Sequence, residues 1–149
     1  SATDPDPEAD QGLHRFTYSL YPHLGDWRNG TIRRAAELNV PLLTYWEPAH
    51  PGALPSEFTL IKVDREHVFV EAVKLAEEGE EIVVRVYEGH NQRGKVTLTF
   101  PSEVEAAWEC NLLEEPEEEI RPLGNQFGFF IKPYQVRTFR VRLKKPRGV

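Results

Sequence analysis

The sequence contains no methionine and only one cysteine, Cys110, among 149 residues. Without a methionine the polypeptide cannot begin at a retained initiator, so the expectation is a piece cut from a longer chain. Ser1 and Ala2 fit an expression scar, and residues 1–9, rich in Asp, Glu and Pro, fit a solvated linker. One cysteine cannot close an internal disulfide, and Cys110 lies in an alternating apolar run where a small hydrophobe fits, so stability must come from packing. A basic excess is lacking too. The net charge is −6, and no block of Lys and Arg interrupts it, which argues against a nucleic-acid partner. Neither a secretory signal nor an apolar run of membrane length is evident, so no membrane association is expected.

What the sequence does have is alternation. Residues 14–23 place Phe16, Tyr18 and Leu20 on one face and Arg15, Thr17 and Ser19 on the other, the period of a half-buried strand. Asp26 is a candidate cap for a short helix carrying Ile32, Ala35, Ala36 and Leu38, which Pro41 ends. Residues 42–46 read as extended, 50–56 as a loop and 58–63 as a strand. Residues 68–76 and 82–88 form a hairpin around Glu78, Gly79, Glu80 and Glu81. Val96, Leu98 and Phe100 define a one-sided strand. So do Val104, Ala106, Trp108, Cys110 and Leu112, which turns Trp108 inward. The acidic run 114–119 reads as a solvated turn, since unopposed carboxylates repel. Strands through Phe129 and Phe139 close the chain. Eight or nine short strands, each with one apolar face, predict an all-β fold, a β-sandwich of two antiparallel sheets with one short helix.

The segment DQGLHRFTYSLYPHLGDW, residues 10–27, resembles the C-terminal region of glycoside hydrolase family 38 α-mannosidases. LNVPLL, EAVKLAEEGE, VVRVYEGH, CNLLEEP and PYQVRTFRVRL follow in the family's order, so the resemblance covers nearly the whole chain. It implies a C-terminal β-sandwich domain over residues 10–145, with 146–149 as a tail, closest to the cytosolic branch and hence cytoplasmic. The family's chemistry is a retaining hydrolysis of α-mannosides, with an Asp nucleophile and a divalent metal, usually zinc, in a separate catalytic domain. None of those motifs matches a segment here. The resemblance therefore implies no catalytic residue, metal ligand or cofactor in this piece, which alone is expected to be inactive. Its partners would be the catalytic and helical domains of the same parent chain, with a mannoside as a possible ligand. The alternative is an autonomous carbohydrate-binding module.

Candidate contacts follow from residue chemistry. Asp10 and His14 stand four residues apart at the mouth of the first expected strand, where a carboxylate can orient an imidazole. With Tyr18 and His23 they make that segment the expected contact to the catalytic domain or substrate cleft. The five histidines lack the close pair of a zinc site. A symmetric hairpin register around Gly79 and Glu80 sets Lys74 beside Arg85, like charges that call for carboxylates from another strand or from the catalytic domain. Trp46, in a loop beside Glu47 and Pro48, is the aromatic best placed for an exposed contact.

Overall fold

A computed structural model describes residues 11–52 and 55–145. The chain divides into two compact units, one up to Thr44 and one from Tyr45 onward.

In the first unit the expected strand is absent. Residues 14–23 belong to no β-ladder, and Phe16 and Leu20 are 83% and 89% exposed. Alternation marks side chains that seek a covering layer, but a strand exists only where backbone groups find a neighbour. The helix does form, as α1 over Thr31–Asn39, with none of its residues buried. Its cap is Gly30 rather than Asp26. Gly30 has φ +98°, a conformation that costs a side-chain-bearing residue, and supplies no side-chain hydrogen bond. The Asp26 carboxylate is occupied by Arg28, accepting its backbone N–H at 2.9 Å and its guanidinium Nε at 3.0 Å.

Among the described residues of the second unit eight strands run in chain order: β1 (Lys62–Val63), β2 (Val68–Leu75), β3 (Ile82–Glu88), β4 (Gly94–Thr99), β5 (Val104–Cys110), β6 (Pro116–Ile120), β7 (Gln126–Ile131) and β8 (Val136–Leu143). They form two antiparallel sheets, β1-β4-β7 and β2-β3-β8-β5-β6. Val84, Val86, Ala107, Phe139 and Val141 of the larger sheet share one core with Val96, Leu98, Phe127, Phe129 and Ile131 of the smaller. Period-2 alternation produces this directly, because every second side chain of each strand points into the same layer. Phe139 anchors it, with ring centroids 5.3 Å from Phe127 and 4.7 Å from Phe129. The two-sheet sandwich is as expected, and α1 of the first unit is the one helix among the described residues. Residues 42–46 join no ladder, and of 58–63 only Lys62 and Val63 do.

Register departs from expectation at three places, each with a local cause. In the hairpin, the Ala76 N–H donates to Glu81 O at 2.9 Å, so Leu75 pairs with Ile82. Lys74 therefore faces Val83, and Arg85 faces Ala72, not Lys74; Glu71 lies in a bulge. The turn is thus centred between Glu78 and Gly79, one residue earlier than expected, and Gly79 at φ +95° makes its left-handed corner. In β5 a second bulge, between Val104 and Ala106, reverses the faces downstream. Ala107 becomes a core residue, and Trp108 turns to the outer face opposite Arg140. The acidic run 114–119 is not merely a turn. Residues from Pro116 pair with β5 as an edge strand, and Glu114 is buried.

Candidate functional site

The densest polar arrangement lies on the outer face of the five-stranded sheet. Ladder pairs bring Lys74, Val83, Arg85, Thr138, Arg140, Trp108 and Cys110 onto it. Glu81, at the mouth of β3, is 3% exposed and reaches two cations of β8. Arg140 Nη2 donates to its carboxylate at 2.8 Å, and Arg142 pairs with its other oxygen. Hydrogen bonds from Arg140 first and Arg142 second hold the Glu81 carboxyl down at about 2. The Arg142 guanidinium also lies over the Trp108 ring, 5.7 Å from its centroid.

Glu114 organises the neighbouring corner. It accepts the Lys74 ammonium at 2.8 Å and the Glu77 backbone N–H at 2.9 Å, and the Lys74 bond chiefly holds its carboxyl below the usual range. Lys74 also pairs with Glu77, and Arg85 donates to the Thr138 hydroxyl at 3.2 Å. A depression of about 320 Å³ is lined by Glu77, Glu78, Leu113, Glu114 and Arg140. Burial pushes the Cys110 thiol up, so at neutral pH it stays protonated and inert. Glu81 and Glu114 are ionised and tied to cations, so neither holds a proton to donate. These groups cross-brace the hairpin, the β5–β6 turn and β8.

A third acid, Glu88, closes the opposite end of the larger sheet. It is 1% exposed. Its carboxylate accepts the N–H of His90 at 2.7 Å and of Tyr134 at 2.9 Å, joining the β3–β4 and β7–β8 turns. Burial pushes its carboxyl up, but backbone donors at Tyr134, His90 and Gln92 outweigh that and leave it below its ordinary value. Tyr134 sits at φ +56°, and the Glu88 bond gives that unusual corner a partner.

The residues expected to form contacts are divided between the two units. Asp10 lies outside the described residues. His14 and Tyr18 lie on the extended segment of the first unit, Tyr18 81% exposed. His23 stacks on Tyr21, ring centroids 4.8 Å apart, with its Nε2 3.3 Å from the Thr31 hydroxyl at the helix start. Trp46, in the second unit, is 88% exposed. Lys74 and Arg85 share the outer sheet face. The carboxylates Lys74 calls for come from Glu77 and Glu114 of the same domain. Sequence reasoning missed Glu81, Glu88 and Glu114. The sequence held no signal for Glu81 by itself, since it meets Arg142 only once the ladder sets Ile82 opposite Val141. Among the described residues no group of three or more His, Cys, Asp or Glu is placed to hold a metal ion. The described residues therefore do not fit the zinc of the family's chemistry.

Residues 67–139, from the end of the β1–β2 turn into β8, match the family described as glycosyl hydrolases family 38 C-terminal beta sandwich domain. Residues 67–139 carry the C-terminal β-sandwich of glycoside hydrolase family 38. Curated relatives extend the similarity to almost the full chain. Alpha-mannosidase 2C1 of Homo sapiens is 34% identical over 148 residues, 95% of this chain but 14% of the relative. Alpha-mannosidase G of Dictyostelium discoideum is 33% identical over 150 residues, 94% of this chain and 13% of the relative. Alpha-mannosidase of Saccharomyces cerevisiae is 24% identical over 159 residues, 92% and 14%. The chain thus spans about one-seventh of the length of the relatives it matches. No helix among the described residues is long and apolar enough to cross a membrane.

Proposed function

We propose that this family 38 domain is a non-catalytic support that packs on the catalytic and helical domains of a longer, cytoplasmic α-mannosidase. The parent would hydrolyse α-mannosides with retention, using zinc held outside this segment. The observation that carries the reading is a mismatch between the sheets. Five strands face three, and the smaller sheet ends at β1, only two residues long. The inner face of β2 is left partly bare, with Val70, Val73 and Leu75 at 36%, 42% and 72% exposed. Apolar side chains on a core-facing surface with no layer over them call for a covering surface. Phe16, Tyr18 and Leu20 add a second such row. His14, Tyr18, His23 and Trp46 are then contact residues, with Asp10 beside them in sequence, while Lys74 and Arg85 act through the bracing they give the sheet. Replacing Val73 with Glu tests this. The melting temperature and mannoside turnover of the complete protein should fall, while the melting temperature of the 149-residue chain changes little. Equal small effects in both would count against docking.

A second reading rests on Trp46, whose exposed ring suits the apolar face of a pyranose. Titration of the 149-residue chain with mannose and mannobiose decides it. Chemical-shift changes centred on the Trp46 indole at millimolar sugar would favour a carbohydrate-binding module, and their absence would remove it.

A further inference from the structure

The free sheet edges are not equivalent. β1 is two residues long, β2 carries a bulge at Glu71, and β6 opens with Pro116 and bears Glu117, Glu118 and Glu119. Each device discourages further pairing. The edge of β7, with sequence QFGFFI, has none of them. Which of its backbone groups face outward follows from their partners. Gln126 exchanges bonds with Leu123, and the Phe130 carbonyl accepts Arg137 Nη1 at 2.6 Å, so neither points toward β4. By the alternation of an antiparallel ladder, the N–H and C=O of Gly128 between them also face outward, and Gly128 is exposed.

Beside this edge is a cleft of about 370 Å³ between β7 and β6, whose lining includes the carboxylates of Glu109, Glu118 and Glu119, the guanidiniums of Arg121 and Arg137, and Gly128. Glu118 stands opposite Glu109 in the β5–β6 ladder. Glu109 is paired with Arg137, whose guanidinium also lies over Phe129 and Phe139, 5.6 and 5.8 Å from their centroids. That cation is committed. Arg121, just past the end of β6, is the other cation of the lining, so Glu109, Glu118 and Glu119 face two guanidiniums and the carboxylates are in excess by one.

We propose that the β7 edge accepts an extended strand from elsewhere in the same parent chain, lengthening the smaller sheet beyond β7. Backbone bonds form at Gly128 and at the Phe130 N–H, and a Lys or Arg of the added strand meets Glu118. The inserted segment lies over Ile120 and covers the inner face of β6. A chain whose relatives are about seven times its length leaves ample polypeptide to supply it. The inference rests on the docking reading above, but it concerns a different edge, and the two can fail separately.

Amide exchange of the complete protein and of the 149-residue chain tests it. Gly128 and Phe130 should exchange at least about tenfold more slowly in the complete protein. Gly128→Pro should erase the Phe130 protection while Phe129, on the β4 side, stays protected, because Pro removes only an outward N–H. Gly128→Ala, whose Cβ would meet only Val96 O at 3.6 Å, should keep it. Glu118→Lys should reduce the Phe130 protection several-fold. Equal exchange at Gly128 and Phe130 in both proteins, or protection indifferent to Gly128→Pro, overturns the inference. If Val73 and Leu75, whose N–H groups face the free edge of β2, exchange more slowly in the complete protein than in the 149-residue chain, the docking reading survives; if they do not, both fall.

Discussion

Residues 14–23 and strand β8 carry the same pattern, an apolar side chain at every second position, and meet opposite fates. Phe139 and Val141 of β8 are 0% and 1% exposed, lying between β3 and β5 and beneath the smaller sheet, whereas Phe16 and Leu20 are 83% and 89% exposed on a segment with no ladder. The difference teaches that alternation encodes a demand for a covering layer and says nothing of who supplies it. For β8 the supplier is within the domain. For residues 14–23 the supplier is, on the docking reading, elsewhere in the parent.

The largest effect that would sharpen the contrast is truncation of the buried member. Phe139→Ala should destabilise the 149-residue chain by about 3–5 kcal/mol, through lost transfer energy plus the cavity left behind. Urea unfolding reads this. The bracing on the outer face comes next. Glu81→Gln leaves Arg140 and Arg142 without their carboxylate and should cost on the order of 2–3 kcal/mol at neutral pH.

The pH dependence of that cost has a definite sign. Glu81 is lowered from 4.5 to about 2, so its contribution is complete above 4.5 and is lost as pH falls through the folded value. The gap in melting temperature between wild type and Glu81→Gln should therefore narrow between about pH 4.5 and pH 2. A constant gap would show that the carboxylate is not held by its arginines.

Gly79→Ala should cost about 1–2 kcal/mol, because a φ of +95° strains any L residue and the new methyl would land on the Glu81 carboxylate. Phe16→Ala, the exposed counterpart of Phe139→Ala, should change the stability of the 149-residue chain by less than about 0.5 kcal/mol. A cost near that of Phe139→Ala would break the comparison, since it would mean that Phe16 is covered within this chain.

The sandwich, its core strands and the short helix were legible because each depends on local periodicity. Val84, Val86, Phe127, Phe129, Phe139 and Val141 are where alternation places them. The two bulges were not legible: one residue left out of the ladder at Glu71 or between Val104 and Ala106 costs little locally, yet the second turns Trp108 from the inner to the outer face. Nor were the buried acids. Glu81, Glu88 and Glu114 look like solvated turn residues until the ladder brings Arg140, Arg142, Tyr134 and Lys74 to them from as many as 61 positions away. Of the expected contact residues, Lys74 and Arg85 were legible as a charged face but not in their register. Chain order does not state how five strands will be opposed by three.

The central claim, that the bare apolar rows are covered in the complete protein, is tested most directly by the double variant Phe16→Ala with Leu20→Ala, measured by unfolding in both contexts. The change should stay below about 0.5 kcal/mol in the 149-residue chain. In the complete protein, where two large side chains would leave a packed interface, the loss should be at least about 2 kcal/mol. The same small change in both would contradict it.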